Sequence, residues 1–214
     1  MHLTRFEINP QRRAARHVLG SPQRLHAGVL AAFPSDRPEG RILWRLDEGG
    51  HDPVLYVVSA TEPDLTHLVE QIGRPVYGWQ TKDYQPFLDK LAEGDRWAFR
   101  VRVNPVHNLA GGPGERGKRV AHVTAAQQTA WLHQQAGRHG FAIAPGSAGA
   151  PDLLLRDRRV LRFDRRGRDV TLSTALFEGT LVVQDADALR AALVGGIGPG
   201  KGYGCGLLTL AAPR

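Results

Sequence analysis

The run Trp97-Ala98-Phe99-Arg100-Val101-Arg102-Val103-Asn104 alternates Trp97, Phe99, Val101 and Val103 with Ala98, Arg100, Arg102 and Asn104. That is the period of a half-buried strand, so the first set is expected inward and the second outward. Pro105 cannot donate to a sheet ladder and ends the run. Downstream, a glycine-rich loop (Gly111 to Gly117) leads through Lys118 and Arg119 to Thr124-Ala125-Ala126-Gln127, a capping box that opens a helix closed by Gly140. Strand-like runs near Leu153 to Phe163 and Val170 to Val183 flank the turn from Asp164 to Asp169. Asp185 then caps a helix with Leu189 and Leu193 inward, and Leu207 to Leu210 supplies a last strand.

Upstream, the same plan is already present. His2 to Asn9 reads as a strand, and a basic helix with Arg12, Arg13 and Arg16 stops at Gly20. Ser21 and Pro22 start a second helix to about Phe33, with Leu25, Val29 and Phe33 as its apolar stripe. Strands at Arg41 to Leu46 and Pro53 to Ser59, a helix from about Asp64 to Ile72 and an extended stretch near Val76 to Gln80 follow. Each half therefore reads strand, helix, strand, strand, helix, strand, which is the ferredoxin-like order. The expectation is an α+β chain of two tandem ferredoxin-like (βαββαβ) domains, residues 1–90 and 91–214, with the boundary between about Tyr84 and Asp95.

Composition narrows the partners. A formal charge of +7 and a sequence pI near 10.2 favour a polyanion: RNA, DNA or an anionic membrane surface. Of the 28 cationic residues only Lys82, Lys90, Lys118 and Lys201 are lysines; the arginine excess fits bidentate phosphate recognition or a GC-rich genome. Cys205 stands alone, which excludes an intramolecular disulfide and a cysteine-based zinc site and fits a reducing cytosol. No signal-like segment opens the chain and nowhere do about 18 apolar residues run together, so a cytoplasmic protein without a membrane partner is expected.

The most concentrated charge lies between Arg156 and Arg168. Arg156, Arg158, Arg159, Arg162, Arg165, Arg166 and Arg168 face only Asp157 and Asp164 there. On a hairpin they form a cationic ladder suited to phosphates or guanine edges, although a solvated turn would have the same composition. The second signal is the glycine loop Gly195 to Gly206. It lacks the hydroxyl residue of a P-loop, because Gly202 follows Lys201, and it follows a helix where that motif requires a strand. Alternating glycines such as Gly198, Gly200 and Gly202 still let backbone amides approach a phosphate, with Lys201 adding charge. A tight inter-domain connection would need the same residues. None of the nine histidines pairs at a metal-ligand spacing, so neither a metal nor a cofactor is expected.

Several of these stretches together resemble one family. Leu3-Thr4-Arg5-Phe6-Glu7-Ile8-Asn9-Pro10, Phe99 to Pro105, Gly117-Lys118-Arg119-Val120, Trp131-Leu132, Leu176-Phe177-Glu178-Gly179 and Gly196 to Gly206 look, in this order, like the CasE family of CRISPR repeat-processing nucleases. The resemblance spans essentially the whole chain. It implies an endoribonuclease of two ferredoxin-like domains that binds a CRISPR repeat stem-loop and cuts at the 3′ base of the stem without a metal. The ribose 2′-hydroxyl attacks, a cyclic phosphate is left, and the protein stays bound with other Cascade subunits.

His26 falls at the family's catalytic histidine. Such a cut needs a group to take the 2′-hydroxyl proton, one to protonate the departing 5′-oxygen, and positive charge for the phosphorane. His26 suits either proton role, with Arg24 and Lys201 as candidates for the charge beside it. The arginines above, with Lys118, Arg119, Arg12, Arg13, Gly198, Gly200 and Gly202, are the candidate RNA contacts. Gln23 stands where family members often have tyrosine and exchanges no useful proton; Tyr203 is a candidate to substitute. A non-catalytic RNA-hairpin-binding subunit would carry the same basic features, whereas a duplex-DNA regulator lacks its helix-turn-helix.

Overall fold

The computed structural model describes residues 1–34, 40–49, 52–74, 76, 78–112, 117–146, 149–165 and 167–213. The first half contains β1 (His2–Glu7), α1 (Arg13–Leu19), α2 (Pro22–Leu30), β2 (Leu43–Asp47), β3 (Val54–Ser59), α3 (Thr66–Ile72) and β4 (Trp79–Asp83). Its antiparallel sheet has the order β2-β3-β1-β4. Phe6, Ile8, Leu55 and Val57 pack with Leu25 and Val29 of α2 and with Leu68 and Ile72 of α3. Helical spacing set up that stripe, but α2 stops at Leu30 and Phe33 is buried from the turn that follows.

A short helix, α4 (Gln85–Asp89), leads to β5 (Arg96–Val103), β6 (Val106–Leu109), β7 (Lys118–Ala121), α5 (Ala125–Arg138), β8 (Phe141–Ile143), β9 (Leu153–Arg165) and β10 (Arg168–Val183). There follow α6 (Ala186–Gly195), a 3-10 turn at Lys201–Tyr203 and β11 (Leu208–Ala211). The second sheet runs β11-β5-β10, and β8 and β9 share the remaining edge of β10. Both halves therefore have the ferredoxin-like strand order, and the chain is α+β with two tandem domains. The two are joined through a continuous core: Leu43 and Val58 of the first sheet belong to the same buried cluster as Phe99, Val101, Leu132, Phe177 and Leu193.

The capping box forms as expected, with Thr124 accepting from Gln127 N–H and Gln127 reaching back to the Thr124 N–H. Asp185 likewise accepts from Ala188 N–H. Four elements were not expected from local pattern: α4, β6, β7 and β8 are each five residues or fewer, too short to show a period. The strand expected near Val76 to Gln80 begins only at Trp79, because its register against β1 sets Trp79 opposite Phe6 and Asp83 opposite His2. The outward set of β5 also needs correction. Arg102 and Asn104 are 8% and 5% exposed, since the second face of the strand is covered where β9 and the glycine loop reach it.

Candidate active site

His26 sits in the middle of α2, on the side that opens on the joint between the two sheets. Its cavity, about 550 Å³, is lined by Gln23, His26, Arg41, Arg165, Lys201 and Tyr203, with the backbone from Gly198 to Gly202 as its floor. No acidic side chain lines it among the described residues. The buried indole of Trp44 donates from Nε1 to His26 Nδ1 at 3.4 Å, and the two rings are stacked with centroids 6.5 Å apart. An indole only donates, so Nδ1 is unprotonated in this arrangement and neutral His26 carries its proton on Nε2. That nitrogen faces the loop: a Cβ placed on Gly202 would lie 3.4 Å from it. Burial, and after it the charge of Arg165, hold the imidazole below its ordinary value.

The loop that forms the floor is held against both domains. Gly204 has φ +78°, and a Cβ there would come within 2.7 Å of the Trp44 ring; Gly198 has φ +70° and meets Trp131 equally closely. Only glycine combines that backbone with that approach. Tyr203 lies between His26, at 6.3 Å, and Phe163 of β9, at 4.7 Å, and so ties the loop to the arginine hairpin. Lys201 Nζ donates to Gly195 O at 2.6 Å, and burial followed by Arg41 holds its amine below the ordinary value. Gln23 Oε1 is enclosed and has no donor. The buried Cys205 thiol is pushed up to about 12 by burial, so it stays protonated.

His26, Lys201, Gly198, Gly200, Gly202 and Tyr203 are thus brought into one cavity. Arg24 is not, which corrects the expectation that it stands beside His26. Two positions apart on a helix is about 200° of rotation, so Arg24 points to solvent and donates to His17 O at 2.9 Å. Arg41 and Arg165 occupy the place assigned to it. Arg12 and Arg13 begin α1 away from the cavity, Arg12 bonding to Glu70 O, and Lys118 and Arg119 are exposed on β7.

The arginine hairpin forms from β9 and β10, but its charges are divided. A bulge between the Leu176 and Phe177 register positions leaves Arg156 outside the ladder and reverses the alternation beyond it. Arg156 pairs with Glu178. Arg158 bonds Gln128 and Val123 O. Arg159 bridges Asp157 and Glu48 of the other domain. Arg162 and Arg165 have no acidic partner among the described residues, and Arg168 is exposed opposite Arg165. Arg166 lies outside the described residues. Trp44 and Arg41 were missed by sequence reasoning: Trp44 reads as an ordinary strand residue, and no local signal marks Arg41.

Two ferredoxin-like domains thus meet at a glycine loop, with a histidine in a cation-lined cleft and an arginine hairpin beside it, an arrangement whose charge suits a polyanion. A family model described as "CRISPR associated protein" matches residues 1–212. The chain is 37% identical to the CRISPR-associated endoribonuclease Cse3 of Thermus thermophilus, covering 99% of this chain and 100% of that protein. It is 33% identical to the CRISPR system Cascade subunit CasE of Escherichia coli K12, over 87% of this chain and 90% of the relative. It also superposes on the Thermus thermophilus Cse3 structure bound to an RNA representing a pre-cleavage complex, with a TM-score of 0.82, 36% identity and 98% of each chain covered. The chain belongs to the CasE/Cse3 family of CRISPR-associated proteins.

Proposed function

We propose that this chain is an endoribonuclease that binds the stem-loop of a CRISPR repeat, cleaves precursor CRISPR RNA at the 3′ base of the stem and remains bound as a subunit of Cascade. The observation that carries the reading is the His26 cavity, where an imidazole Nε2, three cationic side chains and a glycine-lined floor converge on one space. In its protonated form, with the indole bond at Nδ1 given up, His26 donates from Nε2 to the departing 5′-oxygen as the ribose 2′-hydroxyl attacks the adjacent phosphorus and passes its own proton to water; the P–O5′ bond breaks, and a 2′,3′-cyclic phosphate and a 5′-hydroxyl are the products. Lys201, Arg41 and Arg165 stabilise the charge of the phosphorane. Gln23 lines the same cavity beside His26 and supplies no proton to the step. The cavity offers cations where a bound divalent ion would require carboxylates, which supports a metal-independent cut.

The test is incubation with an end-labelled CRISPR-repeat hairpin in EDTA. A single cut leaving a cyclic phosphate is the expected product, and a reaction that requires added magnesium would overturn metal independence. Gln23 at the family's tyrosine position favours a second reading, a hairpin-binding subunit that does not cut; tight binding with the RNA left intact would establish it.

Binding is expected to depend on the two arginines without acidic partners. Replacing Arg162 and Arg165 with alanine should lower the slope of log affinity against log salt by up to about two, as each lost phosphate contact removes nearly one counterion. The melting curve should change little, because neither side chain is part of the core. Unchanged affinity and slope would remove the hairpin from the RNA path.

A further inference from the structure

The β6–β7 hairpin carries a second titratable cluster, across the glycine loop from His26. His107 pairs with Val120 and Val106 with Ala121, so His107 and His122 are diagonal neighbours on one face. Their ring centroids are 4.7 Å apart. The Nδ1 atom of each is buried without a hydrogen-bond partner, a condition that few buried polar atoms show. Both rings line a cavity of about 490 Å³ together with Arg119, Arg138, Gln134 and Gln135, and no acidic side chain lines it among the described residues. Gly198 and Pro199 form a wall of this cavity and also of the His26 cavity, so the two lie on either side of one ridge.

We propose that this cluster is a phosphodiester-binding subsite, in which His107 and His122 act with Arg119 and Arg138 on the RNA backbone as it crosses the Gly198-Pro199 ridge from the His26 cavity. The proposal rests on the RNA-processing reading above. A phosphodiester carries one negative charge and two oxygens that only accept, which suits a lining made of guanidiniums, amides and imidazole N–H groups. A metal cation would meet two like charges instead. The other charged and polar groups that line the cavity are Asn108 from β6, Arg119 from β7, Arg138 and the neutral Gln134 and Gln135 from α5, and the loop backbone. Burial, then the neighbouring His107, hold the His122 ring below its ordinary value. A bound phosphate reverses that balance, so RNA binding at this subsite takes up protons.

The experiment measures affinity of the full chain for a labelled RNA hairpin with single-stranded flanks on both sides and a 2′-deoxy residue at the cleavage position, over a salt series at about pH 6 and about pH 7.5, which bracket the histidine range. The His107→Gln/His122→Gln double variant is expected to lose about tenfold in affinity at the lower pH, the scale of one charge-assisted hydrogen bond, and about twofold at the higher. Its salt slope at the lower pH should fall by about one. Arg138→Gln, at the exposed end of α5, should lower the slope by about one at both pH values and keeps the test valid if the histidine variant folds poorly. Affinities and slopes equal to wild type in both variants overturn the subsite; cleavage of the unmodified hairpin by those same proteins would leave the RNA-processing reading standing. Wild-type protein that binds no hairpin overturns both.

Discussion

Replacing His26 with alanine is expected to lower single-turnover cleavage of a repeat hairpin by about 10²- to 10⁴-fold, the usual contribution of a positioned acid or base. RNA affinity should stay within about threefold, because Arg41, Arg165 and Lys201 remain to hold the phosphate. Loss of binding in step with cleavage would instead make His26 a contact residue. The ring's titration gives a second check. Burial and Arg165 favour the neutral imidazole, so its limb in the rate profile should lie below about 6.5. Removing Arg165 by alanine takes away one of the two causes and should move that limb to higher pH, whether His26 gives or accepts the proton. An unmoved limb would assign the titration to another group. The linkage to stability has the same origin: the unfolded chain holds the proton more tightly, so the neutral ring's contribution is present above the ordinary value and lost as pH falls through the folded one.

Substitution of Arg45 by methionine is expected to destabilise the chain by about 3–5 kcal/mol, because it leaves a buried charge without its principal partner. For a chain of this size that is a fall in Tm of roughly 6–20 °C. Arg45 is 1% exposed on β2. It forms a two-pronged bond to Asp47 at 2.7 and 2.9 Å and donates to Arg100 O at 2.8 Å and Leu207 O at 3.0 Å, both in the other domain. Arg100 reaches back to Asp47 at 3.0 Å, so one carboxylate is shared across the joint. Burial alone would raise the Asp47 carboxyl, but Arg45 and Arg100 outweigh it and hold it below its ordinary value. This part of the stability is therefore present above the ordinary carboxylate value near 4 and lost as pH falls through the folded one. The wild type should accordingly lose more on acidification than Arg45→Met. Arg45→Lys retains the charge but cannot reach both carboxylate oxygens and both carbonyls, so an intermediate loss is expected in thermal melts. A loss below about 1 kcal/mol for the methionine variant would show the clamp to be no stronger than a surface pair.

Local pattern carried the fold a long way. The strand from Trp97 to Val103, the capping box at Thr124 and the cap at Asp185 each depend on residues a few positions apart, and each of these elements forms. The same reading failed where length was insufficient, as at β6, β7 and β8, and where a strand's outer face met a second segment, as at Arg102 and Asn104.

For the candidate site, the sequence by itself determined the charge excess, the glycine loop and the histidine that the family resemblance marks. It could not determine which arginines are neutralised within the protein. Arg159 meets Glu48 and Arg45 meets Leu207 across separations of 111 and 162 residues, while a single bulge at Arg156 changes the face on which the later arginines lie. Nor could it place Trp44 and Arg41 around His26. Caps and periodicities are set by geometry along a few bonds of the chain, but ion pairing and cavity lining are set by which distant surfaces pack together, and only the joined cores of the two domains decide that.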